Sequence, residues 1–364
     1  MRLLVSAGGT GGGVYPALAV IRALGERAEV LWVGGEGGME ASLVRRAGVA
    51  FEAVPAAGVH GVGLKALPGN LWRLARGTVT ARRVILRWQP QALFFTGGYV
   101  GVPVALAGWR LPKAVYVPDI EPGLALRLLT RLADAVGVTA EAARASYPRH
   151  KRVVVTGYPT RPELQPLDRR SARQALGLDP QRKVLLVFGG SRGARSINRA
   201  LWGCLARVLA EAQVVHITGE LDWPEVEAVR SGLPSSLAGD YHPHAYLHET
   251  MAAALAAADL AVSRAGASTL GELPLFGLPA VLVPYPHAWR YQKVNAAYLA
   301  ERGAAVVLRD EELPQRLAET VLELLADPER LRVMSEATRR LARPDAAQAI
   351  AAEIIRLVEA GQQA

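Results

Sequence analysis

The residues best suited to chemistry lie between Ser263 and Ala296, in SRAGASTLGELPLFGLPAVLVPYPHAWRYQKVNA. A Gly/Ser/Thr turn there feeds a short helix that stops at Gly277 before Pro279. The first N–H groups of such a helix have no partner within it, and the aligned peptide dipoles add positive potential, so the turn suits an anion such as a phosphate. The same residues also suit an ordinary capped helix, because Thr269 and Glu272 have the spacing of a capping box. Proline is tolerated in a helix's first turn, so Pro274 implies a helix start close to Thr269, or a kink. The strand AVLVP follows, and then a loop with Gln292 and Asn295.

Two further glycine turns frame this stretch. Strand-like LLVSA (3–7) runs into GGTGGG (8–13), with a helix pattern from Pro16 to Arg27. KVLLVFGGSRGARSIN (183–198) repeats the unit in kind, matching Gly8 with Gly189, Thr10 with Ser191 and Gly12 with Gly193. The first turn is neither G-x-G-x-x-G, since Val14 stands at the last glycine, nor a P-loop. Strands are predicted at 30–34, 92–98, 114–118, 135–139 and 153–157, mostly separated by helical segments, which specifies parallel α/β architecture. The proline-rich TGYPTRPELQPL from Thr156 reads as a domain boundary. The expectation is two facing, Rossmann-like, doubly wound domains over 1–160 and 161–343. A helix at 345–359, within a C-terminal segment 344–364, is expected to cross back onto the first.

Charge is unevenly placed. Residues 1–160 hold 19 Lys and Arg against 9 Asp and Glu, whereas the remainder holds 23 against 24. No acid occurs from Ala53 to Pro118, where Lys65, Arg73, Arg76, Arg82, Arg83, Arg87, Arg110 and Lys113 fall. Such a field calls for an anionic partner. In LKALPGNLWRLARGTVTARRVILRW, Leu71 and Trp72 alternate with Lys65, Arg73, Arg76, Arg82 and Arg83, which suits a helix lying on an anionic membrane surface. A helix that packs its apolar residues inward and turns its arginines to water reads equally well. Nucleic acid is disfavoured, because no recognisable binding motif is present. The single cysteine, Cys204, excludes an internal disulfide and a thiolate metal cluster and fits a reducing compartment. No signal segment and no membrane-spanning run is read, so a soluble or peripheral protein is expected.

Together, GGTGGGVYPALAV, TGGYVGVP (96–103), GGSRGARSIN and the stretch 263–296 resemble the MurG family of glycosyltransferases (family 28), across nearly the whole chain. The resemblance implies a GT-B fold and inverting transfer of N-acetylglucosamine from UDP-GlcNAc to undecaprenyl-pyrophosphoryl-MurNAc-pentapeptide. It also implies that no metal or other cofactor is required, and a place at the cytoplasmic face of the membrane in peptidoglycan synthesis. Donor contacts carried over by position fall on Arg161, Ser191, the main chain of His248, Ala267, Ser268, Thr269, Leu270, Gly271, Glu272 and Gln292. N–H groups at 267–269 would hold the diphosphate, Glu272 the ribose diol, and Gln292 the sugar hydroxyls through one donor and one acceptor. The acceptor's pyrophosphate or sugar falls on Thr10, Gly11, Gly12, Gly98 and Tyr99.

The acceptor side departs from the family pattern. Gly13 stands where the family has a histidine, and Tyr116, Val117, Pro118 and Asp119 stand where it has His-Glu-Gln-Asn. Inverting transfer needs a base for the attacking hydroxyl. Asp119, the first acid after the acid-free span, is the first candidate, Glu121 the second and His60 the third. An ordinary turn aspartate is the competing reading of Asp119. A related transferase with another lipid or glycan acceptor, or a non-catalytic UDP-sugar binder, remains open.

Overall fold

The protein is described from a computed structural model, which covers residues 1–8, 11–56, 67–190, 193–287 and 290–363. The chain forms two compact units, one of residues 1–161 with 343–364 and the other of residues 162–342. The division falls inside the proline-rich connector.

The first unit carries β1 (Arg2–Ser6), β2 (Glu29–Gly35), β3 (Ala50–Val54), β4 (Ala92–Phe95), β5 (Lys113–Val117), β6 (Ala135–Val138) and β7 (Val153–Val155). They form one parallel sheet in the order β3-β2-β1-β4-β5-β6-β7. Strand β3, AFEAV, has no counterpart in the sequence reading, since at this sheet edge only Val54 of its five residues is buried. Central strands are buried on both faces, as parallel strands between helical layers must be. In β1, Leu4 joins the cluster with Val84, Ile85 and Val104, while Leu3 and Val5 join the opposite cluster with Val20, Ile350 and Ile354.

The helix Gly11–Leu24 starts inside the glycine turn rather than at Pro16. Glycine's low helix propensity hides this start from sequence. Tertiary contacts override it: Val14 is fully buried, and the Thr96 hydroxyl donates to the Gly13 carbonyl at 2.6 Å. The C-terminal helix Ala346–Gln363 packs on Gly11–Leu24 through Ile350, Ile354, Leu357 and Val358. Each such side chain contributes roughly 1.5–3 kcal/mol. A bidentate pair of Arg152 with Glu353, at 2.9 and 2.8 Å, holds the same helix. Gly157, at φ +90, lets the chains cross, since a Cβ there would sit 2.3 Å from Arg343 Cβ.

The second unit carries β8 (Lys183–Phe188), β9 (Ala212–Ile217), β10 (Tyr241–His244), β11 (Leu260–Ser263), β12 (Ala280–Leu282) and β13 (Ala305–Val307). Its parallel sheet runs β10-β9-β8-β11-β12-β13. The two sheets therefore share one topology, with β8 at the place of β1 and β11 at that of β4. In such sheets ligands bind outside the carboxyl ends at the point where strand order reverses. Gly8 and residues 97–99 leave that point in the first unit, and residues 189–190 and 264–269 leave it in the second.

Candidate functional site

In the second unit the turn after β11 leads into the helix Thr269–Phe276. The capping box is not formed. Ser268 has helical φ and ψ, and the Thr269 hydroxyl donates to the Gly266 carbonyl at 2.6 Å instead of capping. The Thr269 N–H is also engaged, with Gly266 O at 3.1 Å, and the N–H groups of Leu270 and Gly271 return to Ala267 O and Ser268 O. Among the described residues, only Ala267 and Ser268 of the expected trio have N–H groups without a protein acceptor. The expected diphosphate donors thus narrow from three to two. The helix starts at Thr269, as expected from Pro274, which stands sixth in it. The helix closes within the next turn, in a left-handed Gly277 at φ +60 whose carbonyl accepts the Ser335 hydroxyl at 2.7 Å.

Two polar anchors hold this turn. Asn295, fully buried on the helix Tyr291–Ala300, donates from Nδ2 to the Ala265 carbonyl at 3.2 Å. Arg264 pairs with Asp310 at 2.5 Å, donates to Ser196 Oγ at 2.6 Å and Val283 O at 3.2 Å, and lies 5.3 Å from the Tyr285 ring centre. Ser196 Oγ completes the triangle by donating to Asp310 at 2.8 Å. Glu272 is buried on the helix, at 7% exposure. Gln292 accepts the Tyr285 N–H at Oε1, 2.9 Å away, which orients its carboxamide and leaves Nε2 and the oxygen's second lone pair as donor and acceptor. Leu270 is buried in the core and Gly271 is partly exposed, so neither presents a polar side chain.

The described ends of the other turn, Gly190 and Gly193, have φ of +96 and +76. Gly193 lies so close to β9's end that a Cβ would stand 2.1 Å from the Thr218 carbonyl oxygen. His248 is exposed, its ring centre 4.4 Å from that of Tyr246, in the loop that follows β10. Arg161 belongs to the first unit, its guanidinium 5.1 Å from the Tyr15 ring centre. Thr10, His60, Lys65 and Ser191 lie outside the described residues. Among the described residues no group of three or more His, Cys, Asp or Glu could hold a metal ion.

In the first unit Gly98, at φ +84, packs backbone to backbone on Gly8; a Cβ would lie 2.8 Å from Gly8 N. This leaves Tyr99 41% exposed beside the turn. Gly11 and Gly12 form the first residues of the helix that follows. Tyr116 is tied into the core: its hydroxyl bonds Thr139 Oγ1 at 2.7 Å, and Thr139 in turn donates to Pro118 O at 2.8 Å. Burial pushes the phenol pKa well above its usual range, so Tyr116 is no base. Its bond instead secures the Pro118 carbonyl next to Asp119, which is half-buried just past β5, with Glu121 two residues on.

The N-terminal domain of glycosyltransferase family 28 matches residues 3–138, and the C-terminal domain of the same family matches 184–350. The chain belongs to glycosyltransferase family 28. A Roseiflexus sp. (strain RS-1) UDP-N-acetylglucosamine--N-acetylmuramyl-(pentapeptide) pyrophosphoryl-undecaprenol N-acetylglucosamine transferase is 44% identical, over 96% of this chain and 94% of that one. A Moorella thermoacetica protein of the same name is 40% identical, over 99% and 100%. The crystal structure of Acinetobacter baumannii MurG superposes with a TM-score of 0.78 at 27% identity, over 98% of this chain and 99% of that one. With its two parallel sheets, this family 28 chain has the GT-B glycosyltransferase fold.

Three features of this family 28 chain escape sequence reasoning. Glu40 is 2% exposed, accepts the Gly35 N–H at 2.9 Å, and fills the space beside Gly8, Gly34 and Gly38. An acid inside GGEGGME, where only glycines leave room for a carboxylate, is the signal that could have found it. Arg264 and Asp310 give no local signal. Lys113, counted above in the basic field, is 5% exposed and donates to Trp109 O and Leu111 O at 2.8 and 2.7 Å; burial lowers its pKa.

The basic segment forms the helix Leu67–Trp88. It buries Ala81, Val84 and Ile85 and exposes Trp72, Val79 and Leu86 at 66, 55 and 61%, seven residues apart along one face. Arg73, Arg76 and Arg83 are exposed, and so is Arg82, which bonds Ala107 O. Nearby in sequence, Trp109 is 63% exposed with the Arg110 guanidinium 4.7 Å from its ring centre.

Proposed function

We propose that the chain transfers N-acetylglucosamine from UDP-GlcNAc to undecaprenyl-pyrophosphoryl-MurNAc-pentapeptide, as its relatives' name states of them, and that it does so with inversion at the anomeric carbon. The observation that carries this reading is full-length membership of the family, joined to an anchored anion turn after β11. In this reading the second unit holds the donor. The N–H groups of Ala267 and Ser268 and the dipole of the helix meet the diphosphate, Glu272 takes the ribose diol, and Nε2 of Gln292 donates to a sugar hydroxyl. Main chain near His248 meets the base, and Ser191 and Arg161 complete the donor contacts.

The first unit then holds the acceptor, with its pyrophosphate or sugar near Thr10, Gly11, Gly12, Gly98 and Tyr99. Asp119 takes the proton as the acceptor hydroxyl attacks C1, Glu121 being second choice. The C1–oxygen bond to the diphosphate breaks and UDP leaves with the electron pair. Donors aimed at such developing charge are worth about 3–4 kcal/mol each. No metal takes part in this scheme. The exposed Trp72, Val79 and Leu86 face with Arg73, Arg76 and Arg83 supports peripheral attachment to anionic lipid at the cytoplasmic face of the membrane. Among the described residues no helix is long and apolar enough to cross a membrane.

Transfer of radiolabelled N-acetylglucosamine to the authentic lipid acceptor tests the proposal, and UDP-GlcNAc binding without transfer would overturn it. A second reading, a related transferase with another acceptor, is favoured by Gly13 and by the run from Tyr116 to Asp119. Gly13 is not required by the backbone, since a Cβ there meets Thr96 O at an ordinary 3.5 Å.

A further inference from the structure

A chain of hydrogen bonds runs through the interior of the second unit and ends at its glycine turn. The helix Arg195–Leu209 presents Asn198 and Trp202 one turn apart on the same face, over His216 of β9 and Tyr241 of β10. Trp202 Nε1 donates to the Tyr241 oxygen at 3.0 Å, which leaves the Tyr241 O–H to donate to His216 Nδ1 at 2.9 Å. His216 Nε2 lies 3.0 Å from Asn198 Oδ1. Asn198 Nδ2 donates to the Thr218 carbonyl and to Asp222 Oδ2, both at 2.8 Å, and Arg195 holds the other Asp222 oxygen at 2.7 Å.

Every direction in this chain is determined. An indole N–H can only donate, and an amide nitrogen that donates twice leaves the Asn198 oxygen as an acceptor. His216 therefore carries a proton on Nε2, and its complete burial keeps the ring neutral, so that Nδ1 accepts from Tyr241. The chain ends on the carbonyl against which Gly193 is packed without room for a Cβ. The next residue, Gly219, donates to the Ala245 carbonyl at 3.1 Å, which ties the same point to the loop that leads to His248.

We infer that His216 is a positioning residue for the donor's nucleotide: through Asn198 it sets the Thr218 carbonyl, and with it the Gly193 turn and the start of the 245–248 loop. The inference deepens the donor reading of the second unit and rests on it. His216 touches no substrate. A histidine with one donor and one acceptor passes a fixed orientation from Tyr241 to Asn198. Without it the Asn198 carboxamide can rotate, and the Thr218 carbonyl loses its side-chain donor.

The test uses the full chain with His216→Phe, His216→Gln and Tyr241→Phe, measured by isothermal titration with UDP and by steady-state kinetics for donor and acceptor separately. His216→Phe is expected to weaken UDP binding and raise the donor KM about tenfold, the equivalent of one hydrogen bond, with the acceptor KM unchanged. His216→Gln, whose side-chain amide still reaches Asn198, should stay within about threefold of wild type. UDP affinity within about twofold of wild type in folded His216→Phe, or an equal loss in folded His216→Gln, overturns the inference. Should His216→Phe not fold, Tyr241→Phe decides: weaker UDP binding supports the relay, and unchanged binding overturns it. A wild-type chain that does not bind UDP overturns the donor reading itself, which separates the two failures.

Discussion

Replacing Arg264 by Met gives the sharpest test of how the turn after β11 is held. The substitution removes the ion pair with Asp310 and the donors to Ser196 and Val283, while a methionine chain fills much of the same volume. Breaking a buried pair leaves an uncompensated charge, at about 3–5 kcal/mol. Here the side chains are 10 and 21% exposed, and Asp310 keeps the Ser196 hydroxyl, so the cost falls just below that range, at roughly 2–3 kcal/mol. For a unit of this size that is a fall of roughly 5–10 °C in its melting temperature. Calorimetry of the full chain reads it, with UDP titration as a second measure, since Arg264 abuts the Ala265–Ser268 turn. The double variant Arg264→Met, Asp310→Leu should recover most of the loss, because the stranded carboxylate is then gone. A change below about 0.5 kcal/mol in the single variant, or a double variant as costly as both singles together, would refute the reasoning.

Asp119→Asn should abolish transfer while UDP-GlcNAc affinity stays near wild type; retained activity removes Asp119 as the base. Replacing Arg73, Arg76 and Arg83 by Gln should reduce sedimentation with anionic vesicles and leave that with neutral vesicles unchanged, whereas equal binding to both would make the helix Leu67–Trp88 a solvated face. Burial lowers the His216 pKa to about 3, against a weaker opposing pull from Asp222. The folded chain thus binds fewer protons than the unfolded one between pH 3 and 6.5. Stability present above pH 6.5 is lost on acidification through this window, at about 1.4 kcal/mol per pH unit. His216→Gln should flatten that part of the urea-midpoint profile; His242 and His244, whose pKa values burial also lowers, supply the remaining slope in both proteins. An identical slope in both would show that His216 is not the group responsible.

Local sequence was enough for the repeated strand-and-glycine unit. Gly8 and Gly189 follow apolar runs that can only be buried strands, and Gly98, Gly193 and Gly277 stand where the backbone takes positive φ or approaches another chain segment too closely for a Cβ. Parallel topology follows from helices alternating with those strands, and family membership from turn motifs whose spacing is short-range. What only the tertiary structure decided is which polar groups remain available. The capping-box spacing at Thr269 and Glu272 was real, yet the Thr269 hydroxyl turned to Gly266. Lys113 looked like surface charge and lies under the Trp109 and Leu111 carbonyls. The Tyr285 N–H fixes the Gln292 carboxamide. The partners of Arg264 lie 46 and 68 residues away, and His216 meets Asn198 and Tyr241 from neighbouring elements. Periodicity and turn chemistry act over a few residues, so they specify elements. A hydrogen bond between elements depends on how the sheet and its helices stack, and that is settled by packing the whole unit at once.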